Sequence, residues 1–238
     1  MKNQKAKFCF KKFEVLHALS SMKVGTDAVL LGAWTEAGDS CVALDVGTGS
    51  GIIALMLAQR FPKLTITGID IHDKSVTEAG TNFSNSPWPD RLQAKCLEVA
   101  ALQEKNYFDL LVSNPPFFDA GSTPPDMDRS RARHTSSLSY KSLIEKSYSL
   151  LKEEGSLAVI IPYLAENRFQ EKTDDQGFYL KHRLAFRPKK GKPIERVLLQ
   201  YSKSKPTRVT NSELIHYLDN GDWTDDYKFL TKDFHLKL

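Results

Sequence analysis

A chain of 238 residues that is 41% apolar and 26% charged carries enough apolar material for a folded core and too much for a disordered or collagen-like segment. Its formal charge of +4 tolerates a polyanionic partner but is far from the imbalance of a protein built to coat nucleic acid. The longest mostly apolar stretch, Leu157 to Ala165, falls well short of the ~20 residues that span a bilayer. The basic start lacks the apolar run of a secretory signal, and Cys9, Cys41 and Cys96 show neither disulfide nor metal-site spacing, so a reducing cytoplasm is the expected setting.

In chain order, residues 1–36 read as an N-terminal extension whose first 12 residues hold five Lys and no acid, a basic arm followed by a helix over Ala28–Trp34. From Ser40 short β-branched runs alternate with helical patterns, as in βα units stacked into a parallel sheet. Strands are expected at Cys41–Val46, Thr65–Asp70, Leu92–Cys96, Phe108–Ser113 and Ser156–Pro162. Ile52, Leu55, Met56 and Gln59 fall on helical spacing before Pro62, and Asp73 is placed to cap the next helix. Tyr140, Leu143, Ile144, Tyr148 and Leu151 predict a further helix, with Gly155 at its end. Phe178–Arg187 and Ile194–Tyr201 then read as a hairpin. The sum is one α/β domain: a Rossmann-like core over 37–204, with helices on both faces of a seven-stranded, mostly parallel sheet ending in an antiparallel hairpin, and a C-terminal extension over 205–238.

Asp45-Val46-Gly47-Thr48-Gly49-Ser50-Gly51 falls where the first core strand turns into a helix, the place where open α/β sheets bind ligands. A dinucleotide fingerprint needs glycine at 52, which is Ile52, so the loop reads G-x-G-x-G instead. That spacing, with an acid two residues ahead, resembles motif I of class I methyltransferases, which seat the amino-acid part of S-adenosylmethionine here. Asp70, with Ile71 after it, ends the second strand, where a carboxylate accepts both ribose hydroxyls; Glu98 follows the third strand near the adenine end.

Asn114-Pro115-Pro116-Phe117 follows the fourth strand directly. Two prolines stiffen the turn and remove two N–H donors. The Asn114 side-chain carbonyl and the Pro115 backbone carbonyl can both accept hydrogens from one –NH₂, favouring a pyramidal nitrogen whose lone pair is free for attack. Phe117 offers a face for a flat substrate. The tetrapeptide suits adenine N6, guanine N2 and the glutamine side-chain amide alike.

Phe8-Cys9-Phe10-Lys11-Lys12-Phe13 and Met22 to Trp34 resemble the N-terminal signature of the bacterial tRNA(Val) adenine-37 N6-methyltransferases. The likeness continues through the glycine loop, Asn114 to Phe117, Ala132-Arg133-His134 and Phe229 to Leu236. It implies S-adenosylmethionine as cofactor, tRNA as partner, catalysis at Asn114, Pro115, Pro116 and Phe117, and donor contacts at Lys23, Thr26 and Asp27 besides Asp45, Gly47, Thr48, Gly49, Gly51, Asp70, Ile71 and Glu98. On a plainer reading, Thr26 or Asp27 caps the helix that follows. Charge points to Arg129, Arg131, Arg133, His134, Lys189 and Lys190 as RNA contacts. His134 has no companion at metal-ligand spacing, and no metal site is expected. Guanine-N2 methylation of ribosomal RNA and glutamine N5-methylation of protein remain alternatives.

Overall fold

The computed structural model describes residues 7–20, 23–116 and 138–236. A small antiparallel pair, β1 (Lys7–Cys9) and β2 (Glu14–Leu16), precedes helix α1 (Thr26–Trp34). The core follows as β3 (Val42–Val46), α2 (Ile52–Arg60), β4 (Thr65–Asp70), α3 (Asp73–Ser84), β5 (Leu92–Cys96) and β6 (Phe108–Ser113). Then come α4 (Tyr140–Leu150), β7 (Leu151–Pro162), α5 (Glu166–Gln176), β8 (Tyr179–Lys189), β9 (Arg196–Ser202), β10 (Thr210–Tyr217) and α6 (Asp225–Thr231).

Strands β3 to β10 form one sheet in the order β10-β8-β9-β7-β6-β3-β4-β5. All neighbours run parallel except β9, which is antiparallel to both β7 and β8. This is the Rossmann-like class I methyltransferase plan, with the hairpin strand inserted beside the fifth core strand. The inner strands read as continuous apolar runs because both faces are covered. Ala43, Leu110, Ala158 and Leu198 pack under α1, α2, α3 and α6, while Leu44, Leu111, Leu157 and Leu199 pack under α4 and α5. Helices α1 and α2 approach closely at Gly32, where a β-carbon would fall 2.8 Å from the Met56 sulfur.

The sheet has eight strands rather than the expected seven, the eighth being β10 from the C-terminal extension, parallel to β8. It is an edge strand with only Leu214 and His216 buried, so its apolar pattern is too thin to announce a strand. Helix α4 ends at Leu150, ahead of Gly155, because the incoming chain caps its last turn: Asn106 N donates to Ser149 O at 3.0 Å and Tyr107 N to Leu150 O at 2.8 Å. Gly155 instead occupies a bulge inside β7, where a β-carbon would meet the Lys152 and Phe108 carbonyls at 3.0 Å. Neither expected side-chain cap is used. Gly25 caps α1 and His72 caps α3, neither through a side chain, while Asp27 and Asp73 lie in the first turns, where a carboxylate complements the helix dipole.

Candidate active site

Parallel strands deliver their carboxyl ends to one edge of the sheet, and the chemistry-bearing residues collect there. At the end of β3 the chain reverses through Gly47, Gly49 and Gly51, with φ of 74°, 54° and 82°, a region that L side chains enter only at a cost. The reversal is tied to β4: Gly47 N and Thr48 N both donate to Ile69 O at 2.9 Å, and Gly49 N donates to Asp70 Oδ2 at 3.0 Å. The other Asp70 oxygen accepts His72 N at 2.9 Å. Each oxygen keeps a lone pair for a further donor such as a ribose hydroxyl.

Asp45 is fully buried behind the loop, where its Oδ2 accepts the Thr48 hydroxyl at 2.7 Å. Burial pushes its carboxyl up to about 7, against the pull of Thr48 and a backbone N–H at Ala54, and nearby Asp70 adds to the rise. Across the edge, Ser113 Oγ donates to Val46 O at 2.8 Å and locks the end of β6 to the end of β3. Asn114 follows, and its buried Oδ1 has no hydrogen-bond partner among the described residues. Buried carbonyl oxygens are rarely left so, and this one is a ready acceptor.

A cavity of about 420 Å³ joins these parts. Of the sequence-predicted residues it brings together Lys23, Thr26, Asp27, Gly47, Thr48, Gly49 and Asn114. Asp45 lies beneath the loop, and Gly51 is covered by Phe83, 2.4 Å from where a β-carbon would stand. Asp70 flanks the loop through Gly49, and Ile71 beside it is exposed. Glu98 is exposed at the head of the short turn Val99–Ala101, outside the cavity lining. Pro115 is buried and Pro116 exposed. Lys189 ends β8 and Lys190 opens the turn after it, both outside the lining, and Arg187 before them is engaged with Glu213 at 2.7 Å. Phe117, Arg129, Arg131, Arg133 and His134 lie outside the described residues.

Other residues of the site carry no signal in the sequence. Asp27 is paired with Arg196 at 2.9 Å, which pins the start of α1 to the start of β9. Arg196, Glu195, His216 and Tyr217 complete the far wall of the cavity. Glu78 and Asn82 on α3 hold the chain that leads toward Lys23. Glu78 accepts Ala18 N, Leu19 N and Ser20 N at 2.7–2.8 Å, and Asn82 bonds both ways to the Leu16 backbone. Burial works against the Glu78 charge, yet these backbone donors outweigh it and hold the carboxyl below its ordinary value.

Residues 17–171 match the model of the methyltransferase small domain. The chain is 38% identical over 231 residues to the tRNA1(Val) (adenine(37)-N6)-methyltransferase of Vibrio parahaemolyticus, covering 97% of this chain and 96% of that one. The enzyme of the same name from Bacteroides fragilis is 37% identical, with 97% and 98% covered. The chain belongs to the tRNA1(Val) (adenine(37)-N6)-methyltransferase family. Membership extends the match beyond the small domain into both terminal segments, so β10 and the segment ahead of α1 are part of what these methyltransferases share in length. In fold, the chain resembles a predicted O-methyltransferase from Agrobacterium tumefaciens, with a TM-score of 0.69 at 16% identity, covering 87% of this chain and 96% of that one.

Proposed function

We propose that this methyltransferase transfers the methyl group of S-adenosylmethionine to N6 of adenine 37 in tRNA(Val), beside the anticodon. The observation that supports the reading is the buried, unpartnered Oδ1 of Asn114, a residue that follows β6 and lines the same cavity as Gly47 and Gly49.

The residues fit such a donor. Nothing lies within 4 Å of where β-carbons at Gly47 and Gly49 would stand, so the backbone there is open to close approach. Asp70 is oriented from both sides by backbone N–H groups and suits a pair of ribose hydroxyls. The donor's chemical contribution is a methyl group made electrophilic by the sulfonium that carries it. Asn114 Oδ1 and the Pro115 carbonyl accept the two hydrogens of the exocyclic amine, turning its lone pair out of conjugation with the ring. Holding that nitrogen in line is the protein's main contribution to rate. No strong base is required, because the nitrogen loses a proton readily once alkylated. The target base leaves its stack to reach the cavity, at a cost that is least in a single-stranded loop.

The test is nucleoside mass spectrometry of tRNA(Val) transcript incubated with protein and donor. N6-methyladenosine is expected, and it is lost when adenine 37 is replaced by guanine. Methylguanosine, or label entering protein glutamine in place of RNA, overturns the assignment.

A further inference from the structure

The cavity at Asn114 continues well past the reacting nitrogen. Its far end is formed by Phe186 on β8, Arg196 on β9, and His216 with Tyr217 on β10. Strand β10 stands four places from β6 in the sheet, and at ~4.8 Å per strand this puts its end on the order of 20 Å from that of β6. A single purine spans roughly two such spacings. With the donor on Gly47 and Gly49 at the end of β3, on the other side of β6, and one target base at Asn114, the β10 end is left vacant.

That end is chemically distinct. The His216 ring lies on Tyr217 at 3.9 Å between centroids and 25° between planes, with Tyr227 at 4.0 Å. His216 is 6% exposed, and its Nε2 has no partner among the described residues. Burial, helped by His235, pushes its pKa down to about 4, so the ring is neutral and offers one donor or acceptor without charge. Positive charge is balanced locally: Arg196 is engaged by Asp27, and Glu195 lines the same wall as Lys23. A phosphate would find no net attraction there. A flat, uncharged ring with hydrogen-bonding edges matches it.

We propose that the His216–Tyr217 end of the cavity is a second base subsite, which takes the nucleobase flanking the methylated adenine by stacking on the face of Tyr217 that His216 leaves free. This rests on the tRNA reading above and deepens it. The subsite selects the RNA by reading a neighbour, and the Asn114 turn performs the transfer.

The experiment uses anticodon stem-loop RNAs, one intact and two abasic at the nucleotide on either side of the target adenine, with the wild-type protein and the Tyr217→Ala and His216→Phe variants. Removing one flanking base is expected to lower wild-type kcat/KM about tenfold, the usual scale of a base–aromatic contact. Tyr217→Ala is expected to lose a similar factor on intact RNA, mainly in KM, and nothing more on the RNA lacking that base. His216→Phe keeps a ring packed behind Tyr217 and is expected to retain the wild-type dependence on the flanking base. Equal wild-type rates on all three RNAs overturn the subsite while leaving the tRNA assignment intact, and losses that multiply for both flanking positions overturn it too. No methylation of the intact RNA overturns the tRNA reading itself.

Discussion

The Asn82 side-chain nitrogen donates to the Ser50 carbonyl at 2.8 Å, which ties helix α3 to the glycine loop. The same side chain donates to Leu16 O and accepts from Leu16 N, so one carboxamide fastens the segment leading to Lys23 and the glycine loop together. Asn82→Ala leaves these buried backbone groups unpaired and is expected to cost about 1–3 kcal/mol of stability. The urea midpoint reads that loss. Calorimetry is expected to show donor affinity falling severalfold in the folded variant, and an unchanged affinity would mean that the loop holds its shape without this tie.

Gly49 and Gly51 both have left-handed backbones, yet they predict different failures. At Gly51 a β-carbon would overlap the Phe83 ring, so Gly51→Ala adds a clash inside the core to its backbone strain and is expected to lower stability by more than about 2 kcal/mol. At Gly49 nothing lies within 4 Å, so Gly49→Ala bears the backbone cost of about 1 kcal/mol alone. Its methyl group projects where a ligand would approach. Thermal melts should rank Gly51→Ala well below Gly49→Ala, and donor titration should show Gly49→Ala folded with weakened binding.

The raised Asp45 carboxyl predicts that donor binding depends on pH. Its folded-state pKa of about 7 lies above the ordinary 3.8, so the native protein keeps a proton that the unfolded chain releases. The resulting stability is fully present below about pH 3.8 and is lost as pH rises through about 7. A donor with net positive charge favours the ionised carboxyl. Its affinity is therefore expected to rise about tenfold between pH 6 and pH 8. Asp45→Asn, with no proton to release, should flatten the profile in calorimetry.

Asn114→Ala is expected to lower kcat at least a hundredfold, on the scale of one lost transition-state hydrogen-bonding group, while donor affinity changes by less than about threefold. Rapid-quench single turnover on the tRNA transcript separates the two effects. A fall in donor affinity with kcat preserved would assign Asn114 to binding.

What is legible in the sequence is what is local. Gly47, Gly49 and Gly51 announce their loop because the backbone conformation itself demands glycine. Strands β3 and β6 are legible for a similar reason, since burial on both faces writes apolar runs into consecutive residues. Glu78, Asn82 and Arg196 are silent because their roles depend on partners far along the chain: Glu78 on residues 18–20, Asn82 on Leu16 and Ser50, Arg196 on Asp27. In isolation Glu78 and Asn82 are ordinary polar residues of a surface helix. Gly155 misleads because a glycine after an apolar helix looks like a terminator, whereas a crowded bulge needs one equally.

The two ends of the described chain meet. Lys11 N donates to Phe234 O at 2.8 Å, Lys11 Nζ reaches Lys232 O at 2.7 Å, and the Phe10 and Phe234 rings meet edge to face at 6.5 Å. Residue 10 precedes the whole sheet in the chain, and residue 234 follows it. Without that second end the strap carrying Lys23 and Asp27 toward the glycine loop lacks its outer clasp. Chains truncated before residue 232 should hold a formed sheet and a loose strap, so that a firm grip on a methyl donor depends on residues 232–234.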